Sequence, residues 1–199
     1  RLDAKPVSHL PVWAGAEEMP PRSVQVLRAA LLAPLVAGAV AVHVLADTSP
    51  EENDGEAVGR PAEYSRTALS WTLHYASSLL CFSSSLHWGL GLAEYGVPRR
   101  SPHMLMYYLV RYSVPVVFVM FGWTGSTLST AHPREASMWL FTGFLGLMSF
   151  DFLTKYYYLV PPWWLRWRSG SFAVTIICLA LLQFSERNLL VGSKPMIRM

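Results

Sequence analysis

The chain contains one long uncharged passage, TALSWTLHYASSLLCFSSSLHWGLGLA at residues 67–93, in which 27 consecutive residues include no Lys, Arg, Asp or Glu. A helix needs about 20 mostly apolar residues to cross about 30 Å of hydrocarbon. Four further charge-free stretches lie at 29–46, 112–133, 136–150 and 169–185. We therefore predict an all-α fold, an integral membrane bundle of five transmembrane helices at about 24–45, 67–92, 105–125, 137–156 and 170–187.

The composition supports the same prediction. Of the 199 residues, 52% are hydrophobic and only 15% are charged, whereas soluble domains carry about 25% charged residues. So few charges cannot cover a water-facing surface, and the composition is not that of a disordered chain, a coiled coil or a nucleic-acid-binding domain. The two cysteines, Cys81 and Cys178, are too few and too far apart for a disulfide scaffold or a cysteine zinc site.

The distribution of charge predicts the domain organisation and the topology. A polar arm at 1–23 precedes the transmembrane domain at 24–187, and a tail at 188–199 follows it. With five spans, the side that holds the N-terminus carries ten bases against five acids, a net +5, and the other side carries six against eight, a net −2. Basic residues concentrate on the cytoplasmic or matrix side of a membrane, so we expect the N-terminus on that side.

Small and polar residues recur at helical spacing along three of the spans. Small residues on one face let two helices approach closely in a membrane, so we expect these faces to pack inside the bundle. A ligand path along the serine stripe of the second span is the alternative. The residues are Ala29, Ala33, Ala37 and Ala41 in the first span, Ser70, His74, Ser77, Cys81, Ser84 and Trp88 in the second, and Gly143 and Gly146 in the fourth.

Three ionisable residues are predicted to form a buried polar cluster: His87, Arg111 and Asp151, which fall at similar depth on the basic side. Because an unpaired charge in a membrane is costly, we expect Arg111 to pair with Asp151, with Lys155 as the rival partner. The expected role is a structural ion pair, and a proton or ion relay is the alternative.

The segment KYYYLVPPWWLRWRS at 155–169 combines aromatic and basic residues. Aromatic side chains concentrate at the headgroup level of membranes, and basic side chains attract anionic lipid. The segment therefore predicts contact with a bound phospholipid such as cardiolipin. The headgroup candidates are Lys155, Trp163, Trp164, Arg166 and Arg168.

Short motifs in this order resemble a small family of five-helix inner-membrane proteins of unknown function that includes transmembrane protein 69. The motifs are LCFSSSLHWGLGL at 80–92 with His87, Trp88 and Gly89, then Pro115 and Trp123, then Asp151, Pro161, Trp163 and Arg166. The resemblance covers about residues 24–187. It implies an inner-membrane location and carries no established activity.

No phosphate-binding loop, His-Glu-x-x-His motif or catalytic serine arrangement occurs in the sequence, so we expect no enzyme, no catalytic residue and no metal or other cofactor. We expect a non-catalytic accessory subunit of a mitochondrial inner-membrane energy-converting complex, a respiratory chain complex or the ATP synthase. Its partners would be other membrane subunits and lipids, not nucleic acid. The alternatives are a stand-alone assembly factor or small transporter, and a haem- or quinone-binding redox subunit that uses His43 and His74.

Overall fold

The computed structural model describes residues 20–47, 60–93, 95 and 104–190. These residues form five α-helices and no strand, which confirms the all-α prediction. The helices are α1 (Arg22–Asp47), α2 (Arg60–Leu92), α3 (Met104–Leu128), α4 (Pro133–Tyr156) and α5 (Trp164–Leu190). Most of the predicted N-terminal arm, the connection at 48–59 and the end of the predicted tail lie outside the described residues.

Three of these helices, α1, α4 and α5, are long and apolar enough to cross a membrane. Segments of this kind indicate a membrane protein. The helices α2 and α3 do not reach the same combination of length and mean hydropathy within the described residues. In α2 the cause is its composition, because hydroxyl side chains and histidines interrupt the apolar residues. The structure therefore has the five predicted helices, but only three satisfy this criterion for a span.

Helix α2 occupies the centre of the bundle and packs against each of the other four helices. Helix α1 packs against α2 and α5, while α4 packs against α3 and α5. One apolar core runs through the bundle, because each helix turns leucine or phenylalanine side chains toward α2 or its neighbours. Fully buried members of this core are Leu35, Leu73, Leu80, Leu140, Phe144, Leu147 and Leu179.

The inward face of α1 differs from the predicted one. Leu35, Ala39 and Val42 are buried against the bundle, at the spacing of three and four that one helix face requires. Ala29, Ala33 and Ala37 lie on the other side and are exposed. The expectation that the alanine stripe packs inside the bundle is therefore wrong for these three residues, because the larger apolar residues of α1 fill that space instead. Ala41, the fourth member of the stripe, is half-buried.

Glycines bring α2, α3 and α4 close together, as predicted for the fourth span. A Cβ added at Gly122 of α3 would lie 2.5 Å from Cys81 Sγ and 2.9 Å from the Ser77 carbonyl oxygen of α2. One added at Gly143 of α4 would lie 2.7 Å from a methyl group of Leu80. Close helix approach at small residues is typical of packing in membranes.

A compact turn joins α4 to α5 and sets the direction of α5. Tyr158 has φ 56°, the left-handed conformation. Its amide donates to the Lys155 carbonyl at 3.0 Å, and the Leu159 amide donates to the Thr154 carbonyl at 2.8 Å. This pair of bonds is a Schellman C-cap, which ends a helix and reverses the chain. The reversal lets α5 begin at Trp164 and run back along α4.

Candidate functional site: a buried carboxylate cluster

Asp151 of α4 is the centre of a buried polar cluster at one end of the bundle. His87 Nε2 of α2 donates to Asp151 Oδ1 at 2.7 Å, and Trp164 Nε1 of α5 donates to the same oxygen at 2.9 Å. Arg168 Nε of α5 lies 3.2 Å from Asp151 Oδ2. We call His87, Asp151, Trp164 and Arg168 the Asp151 cluster. It joins three helices through one carboxylate.

The Arg168 guanidinium is held on all sides by protein. The side chain is 0% exposed. Its Nη2 donates to the Ser83 carbonyl of α2 at 2.9 Å, and its charge lies 4.9 Å from the centre of the Trp164 ring and 4.8 Å from that of Phe172. Ion pairing, a carbonyl acceptor and aromatic faces together offset the cost of removing this charge from water.

The geometry also fixes the proton on His87. A carboxylate can only accept hydrogen bonds, so Nε2 of His87 carries the proton that Asp151 accepts. The remaining nitrogen, Nδ1, has no hydrogen-bond partner among the described residues. The ring is packed against Phe150 and Trp164, with centroids 4.8 and 5.5 Å away. These two rings hold the imidazole between α4 and α5, and among the described residues no hydrogen bond continues from Nδ1.

The partner of Asp151 corrects the sequence-based expectation. Arg111 was expected to pair with Asp151, but its Nη1 donates to the Leu159 carbonyl at 2.7 Å and its guanidinium lies 5.6 Å from the centre of the Tyr107 ring. Arg168 makes the ion pair instead. Arg111 is nevertheless buried, and it ties α3 to the α4–α5 turn. The rival partner considered for Asp151, Lys155, is exposed.

The spacing of Trp164 and Arg168 indicates that Arg168 faces the bundle, but a span defined by charge-free residues leaves Arg168 out. Counting charge-free residues starts the fifth span near 170, so Arg168 was placed among the headgroups. The helix begins at Trp164, and residues four apart lie on one face of a helix. Trp164 and Arg168 therefore point to the bundle together.

The proposed headgroup candidates divide into two groups. Lys155 and Arg166 are exposed, whereas Trp163, Trp164 and Arg168 are buried. Side chains that the bundle buries do not reach a lipid headgroup, so the structure corrects that role for Arg168 and for the two tryptophans. The buried tryptophans form a small apolar cluster with Val160, next to Leu86, Leu90 and Trp167.

A second polar site lies toward the other end of α2. His74 Nδ1 and Ser126 Oγ of α3 are 2.8 Å apart, and His74 Nε2 and Ser129 Oγ are 2.9 Å apart. The Ser129 hydroxyl donates to the Ser126 carbonyl at 2.8 Å. Ser129 therefore accepts from Nε2, and the Ser126 hydroxyl donates to Nδ1. Both ring nitrogens of His74 are engaged, and one of these bonds would have to break before His74 could bind haem iron with His43.

Comparison with known proteins identifies a family. The model of a family described as protein of unknown function (DUF3429) matches residues 20–184. The match includes all four residues of the Asp151 cluster and the described parts of all five helices up to residue 184. No curated protein and no solved structure matches the chain.

Proposed function

We propose a function from the premise that the chain belongs to the DUF3429 family, whose function is unknown. The proposed role is that of a non-catalytic accessory subunit in an energy-converting complex of the mitochondrial inner membrane, a respiratory chain complex or the ATP synthase. The resemblance of its motifs to the family that includes transmembrane protein 69 supports the choice of membrane.

The observation that carries this proposal is the outward face of α1. Ala29, Ala33 and Ala37 recur at every fourth residue and are exposed, with Val36 and Val40 beside them. We call these five residues the α1 outer face. Lipid attracts an apolar face of any shape, but small residues at a spacing of four favour close approach by another helix. Since α1 uses its other face to pack against α2 and α5, a helix of a partner subunit fits here.

The Asp151 cluster supports a structural role over a catalytic one. Its carboxylate, guanidinium and imidazole contact one another and are at most 1% exposed. Ionisable groups that serve a transport path need access to a water-filled cavity, and in this cluster the described residues close the three groups off from solvent. In the serine stripe of α2, the hydroxyls of Ser77 and Ser84 donate to carbonyls of their own helix at 2.9 Å. These bonds favour the accessory subunit over the transporter alternative.

We also propose that all five helices cross the membrane and that the N-terminus faces the matrix. Helices of 33 and 25 residues extend roughly 50 and 37 Å at about 1.5 Å per residue, and the hydrocarbon core is about 30 Å thick. Several polar side chains of α2, among them Thr72, Ser77 and Ser84, are buried, so the neighbouring helices would shield them from lipid. The excess of basic residues on the N-terminal side supports the orientation.

Co-purification from native membranes tests the accessory role. The full-length protein, tagged and extracted from its own membranes in a mild detergent, is expected to migrate on a native gel with one set of membrane proteins in constant ratio. A free monomer under the same conditions would contradict the proposal and favour the stand-alone assembly factor or transporter. If the protein migrates with one complex and itself shows a haem absorption spectrum, the result would contradict the proposed accessory role and favour the redox subunit.

A further inference from the structure

A cavity of about 270 Å³ opens between α1, α2 and α5. This is close to the roughly 300 Å³ at which small-molecule sites begin. Its floor is formed by buried side chains that include Leu79, Phe144 and Phe172, and its rim by the exposed Leu27 and Phe82. The lining is almost entirely apolar. An apolar rim that is exposed on a membrane bundle opens toward lipid, so a ligand enters sideways from the bilayer.

Arg28 of α1 marks the polar end of this cavity. One of its Nη atoms donates to the Trp167 carbonyl at 3.0 Å, and the other donates to the Ser171 hydroxyl. The second Nη also lies 3.4 Å from the Arg168 carbonyl. The guanidinium lies 4.1 Å from the centre of the Trp167 ring. Arg28 is therefore held in place by acceptors that are all neutral.

The charges near this end of the bundle do not balance within the described residues. Arg111 and Arg168 are buried with Asp151, and the half-buried Arg28 adds a third guanidinium. The Asp151 carboxylate is already paired with Arg168. A charge at this depth is costly unless an opposite charge or strong hydrogen bonds compensate it. An anionic group at the polar end of the cavity would compensate Arg28.

We infer that the cavity between α1, α2 and α5 binds an anionic membrane lipid. Part of one acyl chain fills the apolar space, and a phosphate oxygen of the headgroup contacts Arg28. A planar guanidinium offers paired donors that suit a phosphate, and the lateral apolar opening favours a lipid over a soluble anion. None of the five headgroup candidates lines this cavity, although Trp167 of the same 155–169 segment does. The site requires membrane insertion but no partner subunit.

Lipid binding to the purified full-length protein tests this site. The probes are dioleoyl phosphatidylglycerol and dioleoyl phosphatidylcholine, which share acyl chains and differ in headgroup charge, and binding is measured by native mass spectrometry. We expect the wild type to prefer the anionic lipid by about tenfold, which is the effect of one charge-assisted hydrogen bond. Arg28→Gln should remove the preference.

Two matched variants separate the headgroup contact from the chain contact. Arg22→Gln makes the same change on an exposed arginine outside the cavity lining and should keep the preference. Ser83→Leu fills the cavity and should weaken binding of both lipids equally. Equal binding of the two lipids by the wild type, or a preference that survives Arg28→Gln, would overturn the inference. Displacement of the anionic lipid by inorganic phosphate alone would also overturn it and assign the site to a soluble anion.

Discussion

Asp151 connects three helices because its carboxylate accepts hydrogen bonds from groups on α2 and α5. His87 Nε2, Trp164 Nε1 and Arg168 Nη1 donate to Oδ1, and Arg168 Nε lies 3.2 Å from Oδ2 in the ion pair. A buried ion pair contributes little net stability when both partners are replaced together, but the loss of one partner leaves the other charge uncompensated. The cluster therefore fixes the position of α5 relative to α2 and α4.

A double-mutant cycle measures this pairing. We expect Asp151→Asn and Arg168→Gln each to lower the free energy of unfolding by about 3–5 kcal/mol, because each leaves a buried charge or donor without its partner. The double variant should lose less than the sum, with a coupling energy of about 0.5–3 kcal/mol. Reversible unfolding in mixed micelles provides the free energies.

The same cycle with Arg111→Gln in place of Arg168→Gln is the control. Arg111 donates to a backbone carbonyl and not to Asp151, so its coupling to Asp151→Asn should be smaller. A larger coupling energy for Arg111 than for Arg168 would contradict the Arg168–Asp151 pair and support pairing of Arg111 with Asp151. If the single variants fail to fold, Trp164→Phe keeps an aromatic side chain and removes one donor to Asp151, and the lost hydrogen bond alone should cost about 1–2 kcal/mol.

Asp151 was predictable as the centre of a buried cluster, and His87 as its neighbour, because ionisable residues are rare within the apolar stretches of this sequence. It could not choose among the arginines, because the choice depends on where α5 begins. Three residue positions decide this: Tyr158 reverses the chain, and Pro161 and Pro162 precede the first turn of α5. Only the fold shows that the reversal carries Arg168 over Asp151.

At the scale of elements, all five helices were predictable, but their ends were not. Charge-free runs locate the part of a helix that lies in hydrocarbon, and a helix continues beyond it wherever its backbone bonds continue. For this reason α2 begins at Arg60, seven residues before the predicted span, and α5 begins at Trp164 where 170 was predicted. The charged ends of both helices fell outside the spans inferred from composition.

The contact between α2 and α3 provides an element-scale prediction. Gly122→Ala should lower the free energy of unfolding by about 1–3 kcal/mol, because the added methyl group meets Cys81 Sγ and the Ser77 carbonyl. Gly89→Ala is the matched control. A Cβ at Gly89 meets nothing within 4 Å, so alanine should be neutral or stabilise α2 by up to about 1 kcal/mol. Equal effects of the two substitutions would contradict the close approach of α2 and α3.

The number of spans is a property of the whole molecule, and two loop positions test it. Ala93 follows α2, and Ala131 lies between α3 and α4. If all five helices cross, α3 separates these positions, and cysteines placed there react with an impermeant maleimide from opposite sides of sealed vesicles. The chain for this experiment carries alanine at Cys81 and Cys178. Reaction from the same side would contradict five spans and favour crossing by α1, α4 and α5 alone.

The sequence could not predict which faces of the bundle remain open, because that depends on which residues of α1 reach the core. The alanine stripe predicts internal packing, but the structure exposes Ala29, Ala33 and Ala37 while the larger residues of α1 face the core. This outward face of small residues is the surface on which we propose that a helix of a partner subunit packs.

Association through the α1 outer face is measured most directly by the amount of partner protein that co-purifies with the double variant Ala33→Leu/Ala37→Leu. Leucine at both positions should hold a partner helix away and strongly reduce the co-purified complex, while unfolding of the isolated chain stays unchanged because both residues are exposed. Ala173→Leu, the same change on an exposed position of α5, should retain the wild-type ratio. If the double variant also retained that ratio, the α1 outer face would not be the interface.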